Sequence, residues 1–168
     1  PNSLGARTVL EGLGIGLCEP SEIWQGIQEG RIKGLYMLGG DPVERLSEAE
    51  RKALESVDFL VVQDILANDV ARLAHVTLPG AAFIEKDGTY TNQAGRVQCI
   101  RRGLAPPGDA RADWEILRDL VGEMVGGPGY EDADSVMLDL AGNVEAFSEL
   151  SRERIGDGGC PLATATEV

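Results

Sequence analysis

The sequence predicts an α/β fold: a parallel β-sheet flanked by helices, extended by a short β-hairpin and C-terminal helices. Three observations carry the prediction. Short, uncharged apolar runs at Gly34–Leu38 and at 59–63 have the length and composition of strands buried on both faces, and a third run follows at 75–78. Segments with helical spacing and cap residues alternate with these runs, which is the order of a parallel, helix-covered sheet. Beyond Gly80 the pattern changes to two β-prone stretches around a turn, then to helical periodicity.

The first clear element is a helix over 21–30. Pro20 stops anything upstream, Ser21 caps the free amides, and Gly30 ends the helix, with Ile23, Trp24 and Ile27 on one face. The strand at 34–38 ends sharply at Gly39-Gly40-Asp41-Pro42. Ser47 and Glu50 have the spacing of a capping box and open a helix to about Val57. After the 59–63 strand, Asn68 or Asp69 caps a short helix through Leu73, and Pro79 stops the third strand. Gly88 to Asn92 and Arg96 to Ile100 flank Gln93-Ala94-Gly95 and read as a hairpin or a pair of extended arms. Pro106-Pro107-Gly108 is a connector. Residues 113–125 form an amphipathic helix with Trp114, Leu117, Leu120, Val121 and Met124 on one face. Helices over 133–140 and 144–155 follow, and the tail from Gly156 reads as loose. Two domains result: an α/β domain over 1–125, and a helical extension with its tail over 126–168.

The 168 residues include 43% apolar side chains, enough for a core. Lys and Arg total 15 against 28 Asp and Glu, a net charge of -13. That field repels phosphate backbones and anionic lipid, which argues against nucleic-acid binding and peripheral membrane binding. No run approaches the roughly 18 apolar residues of a membrane helix, since Arg72, His75 and Pro79 interrupt the most apolar stretch. Three cysteines, Cys18, Cys99 and Cys160, form no C-x-x-C spacing and read as reduced, buried or incidental side chains. The chain opens at Pro1 without an initiator Met or a basic apolar leader, and is read as a piece of a longer polypeptide.

Candidate chemistry gathers at strand ends. Gly39, Gly40 and Asp41 follow the carboxyl end of a parallel strand, where α/β sheets place ligands. Glycines there admit a phosphate or a pterin to the backbone, and Asp41 accepts from a nucleobase or ribose hydroxyl; the alternative is a tight turn that merely needs glycine and proline. Gln63 and Asp64 end the second strand and invite the same two readings. The dense polar run from Glu85 to Asn92 with Arg96 reads as a ligand-facing loop or a charged subunit contact, with Glu85 and Lys86 pairing with each other or with Arg96. Gly12, Gly14 and Gly16 lack the spacing of a dinucleotide fingerprint and read as a loop. His75 reads as a structural histidine, and no nucleophile–base pair can be assigned, so no catalytic residue and no metal ligand is named.

At this point the chain resembles a known family. The runs at 34–42 (G-L-Y-M-L-G-G-D-P), 58–64 (D-F-L-V-V-Q-D) and 71–79 (A-R-L-A-H-V-T-L-P) look like successive motifs of molybdopterin oxidoreductases. The run at 82–92 (A-F-I-E-K-D-G-T-Y-T-N) with Gly95, Arg96, Val97 and Gln98 is the most specific; P-P-G at 106–108 and A-D-W-E-I-L at 112–117 complete the series. The resemblance implies a dinucleotide-binding-like α/β domain of the formate dehydrogenase and DMSO reductase type. It also implies that the iron–sulfur cysteines and the molybdenum ligand lie N-terminal of this region, leaving a fragment that is not active alone and holds no cofactor by itself.

Two branches of the family look closest. L-A-H-V-T-L-P-G and the opening Asn2-Ser3-Leu4-Gly5 favour the large iron–sulfur subunit of NADH-quinone oxidoreductase (respiratory complex I). On that reading the domain is a non-catalytic scaffold in a parent that carries electrons from NADH to quinone through iron–sulfur clusters. Its partners are other subunits of a membrane-associated complex on the cytoplasmic face of the inner membrane, and Gly39, Gly40, Asp41, Gln63 and Asp64 are vestigial. The alternative is the molybdopterin guanine dinucleotide-holding domain of a formate dehydrogenase-like molybdenum enzyme, in which those five residues lie near the cofactor.

Overall fold

In the computed structural model, residues 2–39, 46–127 and 129–163 are described. Their elements run α1 (Ser3–Gly12), α2 (Pro20–Gln28), β1 (Gly34–Leu38), α3 (Glu48–Glu55), β2 (Phe59–Asp64), β3 (Val76–Pro79), β4 (Gly88–Thr91), β5 (Arg96–Ile100), α4 (Asp113–Val125), α5 (Ala133–Asn143), α6 (Arg152–Ile155) and β6 (Cys160–Pro161). Short 3-10 turns lie at Ala71–Leu73, Phe83–Glu85 and Glu145–Phe147. The chain divides into two compact units, each discontinuous in sequence: residues 18–82 with 106–116, and residues 1–17 with 83–105 and 117–168.

The first unit is the parallel one. β2 lies between β1 and β3, with Gly34 opposite Phe59, Leu38 opposite Gln63, and Val61 opposite Val76. Leu60 and Val62 alternate onto one face of β2, where they pack with Ile27 of α2, Ala53 and Leu54 of α3, and Val57, Val70 and Ala71. The expected α/β order is therefore present, with one correction. The strands are not buried on both faces: Tyr36, Leu38, Phe59 and Val76 are exposed. The physical reason is that α2, α3 and the 70–71 turn all cover the Leu60–Val62 face, leaving the other face open among the described residues except around the buried Gln63.

Local capping follows the sequence closely in one helix and departs from it in another. In α3 the Glu50 amide donates to Ser47 Oγ at 3.2 Å, and the Ser47 amide donates to Glu50 Oε2 at 2.8 Å, a full capping box. α2 starts one residue earlier than expected, because Pro20 occupies its first turn instead of blocking it. The Glu19 amide then donates to Glu22 Oε2 at 2.8 Å, so Ser21 is not the cap. Asn68, rather than Asp69, caps the 3-10 turn: its Oδ1 accepts from the Ala71 amide at 2.9 Å. His75 is structural, as expected; its Nδ1 accepts from the Leu60 amide at 3.0 Å and extends the ladder between β2 and β3. Ala112, just before α4, and Ile116 within it are buried four residues apart, while Val121 and Met124 stand exposed, contrary to the expected apolar face.

The second unit is antiparallel. β4 and β5 form a true hairpin, with Thr91 opposite Val97, and Asn92 Oδ1 accepts from the amides of Ala94 and Arg96 at 2.9 and 3.0 Å across the turn. β6 adds to the other side of β5, placing Cys160 opposite Val97. The segment from Gly156 is thus no loose tail through Ala163: the Leu162 amide donates to Gly95 O at 2.7 Å and the Ala163 amide to Ala146 O at 3.2 Å. Val97, Met137, Val144, Phe147, Leu150 and Ile155 form the core. The expected helix over 144–155 is broken, because Val144 adopts an extended backbone that sends its side chain into this core, and Ser151 restarts a helix by accepting from the Arg154 amide at 3.1 Å. α1, which the sequence reading missed, has no side-chain cap to announce it. Asn2 instead holds the hairpin, its Oδ1 accepting from the Thr91 amide at 2.8 Å. Arg96 pairs with carbonyls, donating to Gly158 O and Gly159 O at 3.1 and 2.8 Å.

Candidate functional site

The carboxyl ends of β1, β2 and β3 meet in the first unit, and the polar residues there are tied together. Gly39 carries its chain out of β1 with φ at +58°, a left-handed conformation that disfavours any side chain, and none of the described residues lies within 4 Å of where a Cβ would stand. Its amide donates to Gln63 O at 2.9 Å, so the Gly39 turn is stitched to the end of β2. Gly40 and Asp41 lie outside the described residues.

Gln63 is fully buried. Its side-chain oxygen accepts from the Tyr36 hydroxyl, and its Nε2 donates to Asp113 Oδ1 at 2.8 Å. The two partners fix the amide's orientation, since a phenol donates to the carbonyl oxygen and a carboxylate accepts from the nitrogen. Burial raises the Tyr36 pKa above its ordinary value, and the Asp113 charge pushes it the same way. Gly80 belongs to this network by its smallness: a Cβ there would stand 2.8 Å from Asp113 Oδ1. Gly80 and Arg111 form a parallel bridge, which brings the 106–116 segment to the end of β3.

Asp64 organises the loop that follows it. Its Oδ1 accepts from the amides of Ile65 and Leu66 at 2.6 and 3.3 Å, and its Oδ2 accepts from Asn68 Nδ2 at 2.8 Å. The loop bounds an open cavity of about 400 Å³ whose walls include Val62, Asp64, Ile65, Arg72, Leu78 and Pro79. That volume lies in the range of small-molecule pockets, and the lining is the usual mixture of apolar wall and a few polar groups. Arg72 stands largely exposed at this wall and pairs with Asp69 at 2.7 Å.

Of the residues singled out in the sequence, the structure brings Gly39 and Gln63 together by a backbone bond and sets Asp64 alone among them on the cavity wall. Sequence reasoning missed Tyr36, Asp113, Gly80 and Arg72. Tyr36 hid within an apolar strand, and Asp113 lies 50 residues from its partner Gln63, so only the start of an amphipathic helix after P-P-G marked it. Among the described residues no group of three or more His, Cys, Asp or Glu side chains is arranged to hold a metal ion, and no helix is long and apolar enough to cross a membrane.

Comparison with known proteins bears on which branch applies. The NADPH-Fe(3+) oxidoreductase subunit alpha of Geobacter sulfurreducens is 40% identical over 136 residues, covering 78% of this chain and 16% of that protein. The F420-dependent formate dehydrogenase 2 subunit alpha of Methanococcus maripaludis is 39% identical over 149 residues, 86% of this chain and 22% of that protein. A Methanocaldococcus jannaschii F420-dependent formate dehydrogenase subunit alpha is 47% identical over 103 residues, 60% of this chain and 15% of that protein. The chain thus spans about a fifth or less of the length of these relatives. Among solved structures, acetylene hydratase from Pelobacter acetylenicus shares the fold, with a TM-score of 0.65 at 16% identity over 82% of this chain and 20% of that chain.

These relatives overturn the assignment to the large iron–sulfur subunit of complex I, and with it the NADH-to-quinone scaffold role. L-A-H-V-T-L-P-G and the opening Asn2-Ser3-Leu4-Gly5, on which that assignment rested, lie in a chain whose relatives at 39–47% identity include formate dehydrogenase α subunits. The family profile described as molybdopterin oxidoreductase matches residues 10–123, and the chain belongs to the molybdopterin oxidoreductase family.

Proposed function

We propose that this chain forms part of the shell holding a molybdenum–pterin dinucleotide in the α subunit of a formate-oxidising, multi-subunit enzyme. The observation that carries the reading is the convergence at the carboxyl ends of the parallel strands: the left-handed Gly39 turn, the fixed Asp64 and the cavity of about 400 Å³ beside it. The formate dehydrogenase α subunits among the relatives support the substrate class, and their being α subunits supports partner subunits.

The residues present fit such a group. The space left at Gly39 by the described residues lets a phosphate approach the backbone, and Gly40 and Asp41 follow it in the sequence. The apolar wall of Ile65, Leu78 and Pro79 offers a flat ring a dry surface, Asp64 offers a carboxylate acceptor already held in place, and Arg72 offers a cation to an anionic group. Gln63 stands behind them, joining Tyr36 and Asp113 so that the three strand ends keep one geometry. When bound, the cofactor supplies the two-electron redox centre; these residues bind, orient and exclude water around it.

The test uses the full-length parent. Molybdenum by mass spectrometry and released pterin dinucleotide by fluorescence should both be stoichiometric, with dye reduction dependent on formate. Ala67→Trp fills the cavity from an exposed position. It should strip most of the cofactor while leaving the circular dichroism unchanged. Full loading of that variant, or a parent without molybdenum, overturns the reading.

A further inference from the structure

We propose that Cys99 and Cys160 form a peroxide-oxidisable dithiol in the antiparallel unit, with the Arg152 guanidinium held beside Cys99. This stands apart from the cofactor reading, since every group involved belongs to β5, β6 or α6.

Three observations lead to it. Cys160 pairs opposite Val97 in the sheet, and Cys99 lies two residues beyond Val97, so both thiols project from the same face as diagonal neighbours. Both pack, half-buried, against the Val97–Phe147–Ile155 core. Both sulfurs also point at one short helix: Cys99 Sγ donates to Arg152 O at 3.6 Å, and Cys160 Sγ donates to Arg154 O at 3.3 Å.

The third observation extends to the Arg152 side chain. It is only 13% exposed, and its guanidinium reaches Asp134 Oδ2 at 3.1 Å and Asp87 Oδ1 at 3.3 Å. Nε is buried and has no hydrogen-bond acceptor among the described residues. A buried donor left unpaired costs free energy, and Cys99 is among the groups that interact with this guanidinium. Burial opposes the Arg152 charge, but Asp134, Cys99 and Asp87 outweigh it and raise the pKa of the guanidinium further. A cation held permanently beside a thiol is the environment of reactive cysteines.

The chemistry balances as follows. The Cys99 thiolate attacks one oxygen of a hydroperoxide, the O–O bond breaks, and the leaving oxygen departs as water or alcohol after taking a proton. Cys99 is then a sulfenic acid. The Cys160 sulfur attacks it, the S–S bond forms, the S–O bond breaks, and water leaves with the Cys160 proton. Two thiols lose two electrons and the peroxide gains them; an external dithiol returns the pair to the reduced state by exchange.

Diagonal neighbours have Cα atoms about 7–8 Å apart, just beyond the usual disulfide span of roughly 4.4–6.8 Å. Closure therefore draws β6 inward by about 1 Å. β6 is two residues long and preceded by Gly158 and Gly159, whose carbonyls Arg96 holds, so closure works against that clamp and leaves a readily reduced bond.

The test treats the reduced full chain with hydrogen peroxide under anaerobic conditions, blocks free thiols, and maps peptides. The expected result is a Cys99–Cys160 linked peptide with Cys18 alone blocked, reversed by dithiothreitol. Cys160→Ser should trap a sulfenic acid at Cys99 that dimedone captures, and Arg152→Lys, which lacks Nε, should slow Cys99 oxidation about tenfold. Equal oxidation of all three cysteines, a bond involving Cys18, or a Cys160→Ser protein without a Cys99 adduct overturns the pair. An unchanged Cys99 rate in folded Arg152→Lys overturns the part given to Arg152.

Discussion

Around β2 the chain buries a whole amide, Gln63, and engages both its ends with side chains from other elements, Tyr36 and Asp113. Around β5 the buried positions are apolar, with Val97 packed under Phe147, Val144 and Ile155, and the polar groups work from the rim: Arg96 on the Gly158 and Gly159 carbonyls, Arg152 on Asp87 and Asp134. The parallel unit places its buried polar chemistry at the carboxyl ends of the strands, the end at which α/β sheets generally place ligands. The antiparallel unit closes on itself, its last strand folding back over the hairpin. Polar burial at one end of a sheet costs stability and gives a site, whereas an apolar core with rim clamps gives a wall.

The contrast can be broken most sharply at Phe147, which is 2% exposed. Phe147→Ala should cost about 3–5 kcal/mol, read as a lower denaturation midpoint and as lost hydrogen-exchange protection in β5 well before β2. Equal loss in both strands would mean the two cores are one cooperative body. Next comes Gln63→Leu, which keeps the volume but removes the acceptor of the Tyr36 hydroxyl and one donor to the Asp113 carboxylate. It should cost about 1–3 kcal/mol, smaller than the core truncation. A Gln63→Leu protein as stable as the unsubstituted chain would show that the network is dispensable to the fold and strengthen the case that it serves the site.

The smallest effect is alkaline. Hydrogen bonding to Asp139 comes first in pushing the Tyr130 phenol up to about 12, with burial and the Asp139 charge adding to it. A folded pKa raised above the ordinary value of 10 contributes stability that is fully present below pH 10 and lost as pH climbs toward 12. Tyr130→Phe should flatten that part of the stability–pH curve, and Tyr36→Phe should do so for the phenol of the parallel unit, whose raised pKa comes mainly from burial. Fluorescence-monitored unfolding between about pH 9 and pH 12 checks both; an unaltered slope in Tyr130→Phe would remove the hydrogen bond's claim.

Much of the fold was legible because its signals are local. Uncharged runs at Gly34–Leu38 and 59–63 become strands through their own composition, and Ser47 with Glu50 caps α3 from three residues away. Motif order in register was enough for the family, because several short runs spaced alike rarely coincide by chance. It was not enough for the branch: short runs that form strands and turns report the fold, and the fold alone does not fix the parent's reaction.

Contacts between residues far apart in the chain were illegible, because no local window contains both partners. The two units interleave along the sequence, so that 106–116 returns to β3 and 156–163 returns to β5. Glycine-rich, polar spacing after Ile155 reads as loose because its hydrogen-bond partners, Gly95 and Ala146, lie outside any stretch a periodicity can see. Val144 would extend a helix by its position in the pattern, and the apolar core takes it instead. The Gln63–Asp113 bond spans 50 residues. Helix periods, strand runs and caps act within a few residues, so the α/β alternation, the hairpin and the family were already written in the chain. The open face of the parallel sheet, the network behind the site and the cysteine pair arise from packing, which brings distant residues together only when the chain folds.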